Sequence, residues 1–188
     1  NVKGTESRTG GQLSVVRTPW AVNARDYRYD MTAYVVVSRN GSLISDYANL
    51  ALGAFIGSEC VGYGQFDTAA YGTVRLHSNS TTASPVRFRL YDYATATTYR
   101  LSPSQTVTFQ PDGCVGQPGS PLVLECQPPV AGDANCDGEV NVTDVTTVIN
   151  HILGKPSADL DMHAADANGD GAVNITDVTT IINLILGK

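Results

Sequence analysis

A chain of 188 residues, 42% hydrophobic and 16% charged, is long enough for one ordinary domain and one small one. Its formal charge of −6 includes no basic cluster, which excludes nucleic-acid recognition through bulk charge, and no apolar run approaches the ~20 residues needed to span a bilayer as a helix. Residues 1–128 carry ten basic against nine acidic side chains, whereas 129–188 carries two lysines against nine acids, so the acidity belongs to the C-terminal third.

The polar segment Asn1 to Gly11 reads as a mature or trimmed N-terminus, with an export signal already removed. From 12 to 125 short β-type runs alternate with turn residues: Leu13 to Arg17, Met31 to Val37, Leu50 to Phe55, Thr73 to His77, Val86 to Tyr91, Thr98 to Leu101, Thr106 to Phe109 and Leu122 to Leu124. Val86, Phe88 and Leu90 alternate with Arg87 and Arg89, as a strand with one buried face requires. Asn40-Gly41 between polar flanks predicts a hairpin turn. Seven or eight such strands predict an antiparallel β-sandwich of immunoglobulin-like type over 1–128, a length sufficient for its own core. The succession Gly53 to Gly62, Phe88 to Asp92, and Phe109 with Gly116 and Pro118 to Leu124 is similar to β-sandwich modules in secreted and surface multidomain proteins of gut Bacteroidetes. That resemblance implies a bacterial, extracytoplasmic setting and no catalytic role.

Four cysteines, at 60, 114, 126 and 136, allow three fully paired connectivities. Cys60 with Cys114, both in Cys-Val-Gly turns, and Cys126 with Cys136 across the linker are the expected bridges, against four free thiols. The histidines at 77, 151 and 163 are isolated, and there is neither an HExxH nor a GxSxG motif. Glu59 and Asp92 are the sandwich acids in suggestive company, but two acids make a glycosidase only when they face each other across a cleft. The chain is expected to be non-catalytic. Trp20, Tyr27, Tyr29, Tyr34, Tyr91, Tyr93 and Tyr99 offer a second reading, an aromatic platform for a carbohydrate, which would require coplanar exposed rings.

After Pro128-Pro129 the composition changes and a second domain, 129–188, begins. Here a segment occurs twice: 132–154 returns as 165–187, offset by 33 positions and identical at 17 of 23. Each copy opens with oxygen side chains at alternating positions, which a tight loop can turn inward onto one hard cation. Over 133–144 the ligands would be Asp133, Asn135, Asp137, the carbonyl of Glu139, Asn141 and Asp144; over 166–177 they would be Asp166, Asn168, Asp170, the carbonyl of Ala172, Asn174 and Asp177. Gly138 and Gly171 fall at the sixth position, where the chain must bend sharply. Carboxylates brought together in a dozen residues repel one another unless a cation neutralises them, so two calcium ions are expected, with binding coupled to folding.

The twelfth position holds Asp where an EF-hand has Glu, and the prolines before the first loop prevent an entering helix, so each unit reads as a loop followed by one helix. Val145, Val148, Ile149, Ile152 and Leu153, and in the second copy Val178, Ile181, Ile182, Ile185 and Leu186, form an apolar stripe on each helix. The units are expected to pack as a pseudo-twofold pair, with Val140 and Val173 pairing the loops as a short β-bridge.

A tandem of calcium loop-plus-helix repeats resembles a type I dockerin domain, and the likeness covers about 130–188. It implies a docking module that binds a cohesin domain and attaches secreted proteins to a scaffold, as in polysaccharide-degrading assemblies. Recognition in that family falls at positions that here hold Val142, Thr143, Ile149 and Asn150, then Ile175, Thr176, Ile182 and Asn183. The threonines match the family pattern; the apolar residues point to a different cohesin type or to a partner within the chain, the β-sandwich itself.

Overall fold

The computed structural model describes residues 19–67 and 70–188. A β-rich N-terminal part is followed by a small helical C-terminal region. After a one-turn 3₁₀ helix at Ala24–Asp26 come β1 (Tyr29–Arg39), β2 (Ser42–Leu43), β3 (Leu50–Ile56), β4 (Glu59–Gln65), β5 (Gly72–Ser78), β6 (Arg87–Asp92), β7 (Thr97–Pro103), β8 (Gly113–Val115) and β9 (Leu122–Cys126). The helices are α1 (Val142–Ile152), α2 (Met162–Ala165) and α3 (Ile175–Ile185).

The strands form one hydrogen-bonded ladder in the order β2-β1-β9-β7-β6-β3-β4, with β5 and β8 also paired to β1. The eleven residues of β1 let it serve different partners along its length: Tyr29 to Val35 pair antiparallel with β5, while Val35 to Ser38 pair parallel with β9. The purely antiparallel expectation therefore gives way to a mixed sheet, because β8 and β9 both run alongside β1 in its own direction. The ladder curls until β4 returns beside β5, where Phe66 bridges to Gly72. There a Cβ on Gly62 would lie 2.2 Å from the Arg75 carbonyl oxygen, so only glycine permits the approach.

Alternation places Met31, Ala33, Val35 and Val37 of β1, Leu52 and Ala54 of β3, Val74 and Leu76 of β5, and Phe88 and Leu90 of β6 in one buried core. Full burial of each large side chain stabilises the fold by about 1.5–3 kcal/mol relative to exposure. Thr106 to Phe109 is not a strand; Val107 and Phe109 point into the core, and Thr108 makes only an isolated bridge to Pro85. The run at 13–17 lies outside the described residues.

On the opposite face of β3 and β6, Trp20, Ala51, Phe55 and Cys60 form a second buried cluster, joined at its rim by Tyr91 and Tyr93. Trp20 meets Phe55 edge-on, with ring centroids 5.5 Å apart. The remainder of that face is covered by the C-terminal region. That region has a small core of its own, made of Ala134, Val145, Val148, Ala165, Val178 and Ile181, with Val140, Leu160 and Val173 packed against it. Val140 and Val173 meet the core as side chains, and no β-bridge joins them among the described residues. The second repeat has an entering turn after all: α2 precedes its loop, with Asp161 Oδ1 accepting from the His163 amide at 2.8 Å.

All four cysteines are free, which overturns the two expected bridges. Cys60 is buried beside Trp20 and Phe55 whereas Cys114 is exposed, and each sulfur turns back on its own chain, to the carbonyls of Gly62 and Gly116. Cys126 contacts Arg39 and Cys136 contacts Asp161.

Candidate metal centres and exposed helix faces

The two loops share the hydrogen bonds that their aspartates accept from the main chain. In the first, Asp133 accepts from the amides of Asp137 and Gly138, both at 2.9 Å, and Asp144 accepts from those of Asn135 at 3.0 Å and Asn141 at 2.8 Å. In the second, Asp166 accepts from Asp170 at 3.0 Å and Gly171 at 2.8 Å, and Asp177 from Asn168 at 3.2 Å and Asn174 at 2.8 Å. Asn135 and Asp137, like Asn168 and Asp170, accept from the amide two residues on. The sharp bend falls at Gly138 and Gly171, with φ of +97° and +88°, a region closed to most side chains.

The same residues start the helices. Asn141 and Asp144 form a reciprocal capping box on α1, and Asn174 and Asp177 do so on α3, satisfying amides that would otherwise lack partners. One aspartate thus closes a loop and opens a helix, which is why loop and helix repeat as a unit.

Asp144 and Asp177 are fully buried and Asp133 is 5% exposed. Burial pushes the carboxyls of Asp133 and Asp144 above their ordinary range, against the pull of the amides they accept from. Among the described residues the ion pairs, Arg75 to Asp30 at 3.3 Å and Arg87 to Asp137 at 4.0 Å, reach none of these three buried carboxylates. Among the described residues Asp144 and Asp177 have no ion-paired cation, and buried carboxylates of this kind fit a bound one. No three His, Cys, Asp or Glu side chains gather about one point among the described residues. A cation in either loop would therefore draw on asparagine and main-chain oxygens as well as carboxylates. The Glu139 carbonyl belongs to the chain between Gly138 and the helix cap, while that of Ala172 accepts from the Asn174 side chain at 3.0 Å.

The surroundings of the loops differ. Residues 132–136 are buried, Asn135 beside Arg89 of the β-rich part, whereas their counterparts pass from buried Ala165 to exposed Asn168 and Gly169. Arg89 of β6, 1% exposed, donates through Nη1 to the Asp159 carbonyl at 2.7 Å and through Nη2 to the Asn135 carbonyl. Its guanidinium carbon stands 4.2 Å from the centroid of the Phe55 ring. The buried amide of Thr98 in β7 donates to Asp161 Oδ2 at 3.2 Å. The sequence reading placed Arg87 and Arg89 on an outward face without seeing that the face is covered. The available signal was the near-neutral N-terminal part beside a strongly acidic C-terminal third.

The helix stripes are only half buried. Val145, Val148, Val178 and Ile181 face the small core, while Ile149, Ile152, Leu153, Ile182, Ile185 and Leu186 are exposed. Three short helices make a core only two side chains wide per long helix. The residues at the expected recognition positions are open to solvent in both repeats: Val142 is 69% exposed and Ile175 64%, Ile149 37% and Ile182 40%. Thr143, Thr176 and Asn183 are exposed as well, and Asn150 is half-buried. None is covered by the β-rich part.

The aromatic residues do not make a flat platform where they cluster. Trp20 is 4% exposed and lies at 66° to Tyr91, which lies at 89° to Tyr93. Tyr27 stacks on His77 and Tyr99 lies under the Arg39 guanidinium. Glu59 accepts from the Tyr27 hydroxyl at 2.6 Å, a bond that leads in raising the Tyr27 pKa to about 12, and Asp92 accepts from the Ala94 amide at 2.8 Å. Neither acid is set across a cleft from the other.

Residues 131–186 match the family model described as the Dockerin type I domain. This match supports a calcium-binding, non-catalytic protein-attachment region in that stretch. Among curated proteins none matches the chain. Two solved structures are similar, both type II cohesin–X-dockerin complexes from Acetivibrio cellulolyticus. An N-terminal interface mutant is 14% identical, with 83% of this chain and 94% of that chain covered at a TM-score of 0.34. A C-terminal interface mutant is 15% identical, with 81% and 94% covered at a TM-score of 0.29.

Proposed function

We propose that this chain is an extracytoplasmic, non-catalytic attachment protein in which residues 129–188 form a two-calcium docking module for a cohesin-type partner and residues 1–128, a sandwich of immunoglobulin-like class, are what it anchors. The observation that carries this reading is the matched exposure of Val142 with Ile175 and Ile149 with Ile182 on two helices that bury Val145, Val148, Val178 and Ile181 in the small core. Apolar side chains at equivalent places on repeated helices, kept out of the core, are what a protein partner would cover. The calcium ligands are those named from the loops, Asp133 to Asp144 and Asp166 to Asp177.

Calorimetric titration of metal-depleted protein should give two calcium ions per chain, and Asp133→Ala should remove one; an unchanged stoichiometry of two would reject the ligand assignment. Val142→Asp combined with Ile175→Asp should abolish binding to a responsive cohesin domain while leaving calcium stoichiometry at two. Binding that survives the double substitution would move the docking surface elsewhere. The alternative, a carbohydrate-binding β-module with the calcium region as its structural support, draws on the Arg89 contact but has no exposed ring cluster behind it. It predicts glycan-dependent protection of Tyr27 or Tyr99 rather than of the helices.

A further inference from the structure

Three arginines on the outward face of β6 and β7 approach the first loop, although Arg87 also donates to the Gly57 carbonyl at 2.6 Å and Arg89 also holds Asp159, ahead of the second loop. Arg89 is buried and holds the main chain of Asn135 and Asp159. Arg87 approaches the Asp137 carboxylate at 4.0 Å. Arg100 lies over Gly138, where a Cβ would come within 2.7 Å of its guanidinium carbon. A buried guanidinium is costly unless its donors are satisfied and negative charge lies near; the carbonyls of Asn135 and Asp159 meet Nη2 and Nη1, Nε lacks a partner among the described residues, and Asp133 and Asp159 supply the charge. The hydrogen bonds of Asp166, Asn168, Asp170 and Asp177, by contrast, stay within the second repeat.

From this difference we infer that the β-rich part acts as an intrachain partner that keeps the first loop and α1 folded whether or not calcium is bound, so that calcium controls the folding of the second repeat alone. The inference rests on the calcium reading proposed above. The first loop would have two sources of positive charge, arginine and metal; among the described residues no arginine or lysine is ion-paired to the second, which would have metal alone. Removal of calcium leaves Asp137 of the first loop beside Arg87 and Asp133 in the field of Arg89, and leaves the carboxylates of the second loop to repel one another. The exposed face around Val142 and Ile149 then persists in low calcium, while that around Ile175 and Ile182 forms only when calcium is present.

Hydrogen exchange on the full chain, read by mass spectrometry with saturating calcium and with chelator, tests this. Chelation is expected to abolish protection across 166–186 and to spare 133–152. In Arg89→Ala both repeats should lose protection on chelation, and Arg89→Lys, which keeps the charge but cannot bridge two carbonyls, should restore it in part. If Arg89→Ala also loses protection in β1 and β3, Arg100→Glu replaces it and should loosen 133–152 in chelator with β1 unchanged. Simultaneous loss of both repeats in the unaltered chain would overturn the inference while leaving the calcium reading intact. No change in either repeat would remove both. Retention of 133–152 in every arginine variant would reject the role given to the β-rich face.

Discussion

The two loops are near-identical in sequence and share the main-chain hydrogen bonds to their aspartates, yet the first is held by arginines of the β-rich part and the second stands in solvent. Local structure follows the repeat: the same aspartates and asparagines fold the same bend and cap the same helix. Environment does not follow it, because it depends on which side chains of a distant sheet happen to face each copy. A repeated motif is therefore evidence for geometry at each site and no evidence that the sites are equivalent.

The sharpest way to break this comparison is at Arg89. Arg89→Ala leaves buried carbonyls and nearby acids without their cation, and should cost about 3–5 kcal/mol in chemical unfolding; no substitution in contact with the second loop should approach that. A smaller effect is expected within the helical core. Ile181→Ala, at a fully buried position, should cost about 2–4 kcal/mol, whereas its exposed neighbour Ile182→Ala should stay within about 0.5 kcal/mol. A similar cost at both positions would mean that the exposed face is covered in solution. The cap substitutions Asn141→Ala and Asn174→Ala should each cost about 1 kcal/mol. Equal costs would support the local equivalence of the repeats, and a larger cost at Asn174 in chelator would expose their different surroundings.

The smallest effect is in pH. Burial raises Asp133 and Asp144 in the folded chain, so folding favours their protonated forms. The stability they contribute is fully present below the unfolded aspartate value of about 3.9 and is lost as pH rises through the native values. Metal-depleted protein should accordingly lose stability from mildly acid to neutral pH. Asp144→Asn should flatten that slope in thermal melts, and calcium, by favouring the ionised carboxylates, should reverse it. A slope unaltered by Asp144→Asn would place the titrating groups elsewhere.

Much of this was legible in the sequence. The alternating oxygens, the sixth-position glycines and the Asn–Asp caps are local signals, as is the Asn40-Gly41 turn, whose two positive φ angles join β1 to β2. What was not legible depends on distant partners. Glu59 to Gln65 reads poorly as a strand because Gly62 and Gly64 have low β-propensity, but those glycines are what β5 requires of it. Parallel pairing of β1 with β8 and β9 leaves no pattern in any one strand. The free thiols could not be foreseen from spacing, since a shared Cys-Val-Gly motif does not place two sulfurs together. Arg89 shows the limit most clearly: alternation gives the direction of its side chain, and only the fold shows what lies in that direction.

The clasp at Arg89 also has a mechanical consequence. A pull applied to α1 and α3 need not travel through the short connection from Gln127 to Ala131. It can enter the sheet at the middle of β6, a strand zipped on one side to β3 and on the other to β7. Load delivered there is shared in shear by two ladders at once, with Phe55 and Trp20 braced against the point of entry. Whatever hangs on the helices is borne by the centre of the sheet.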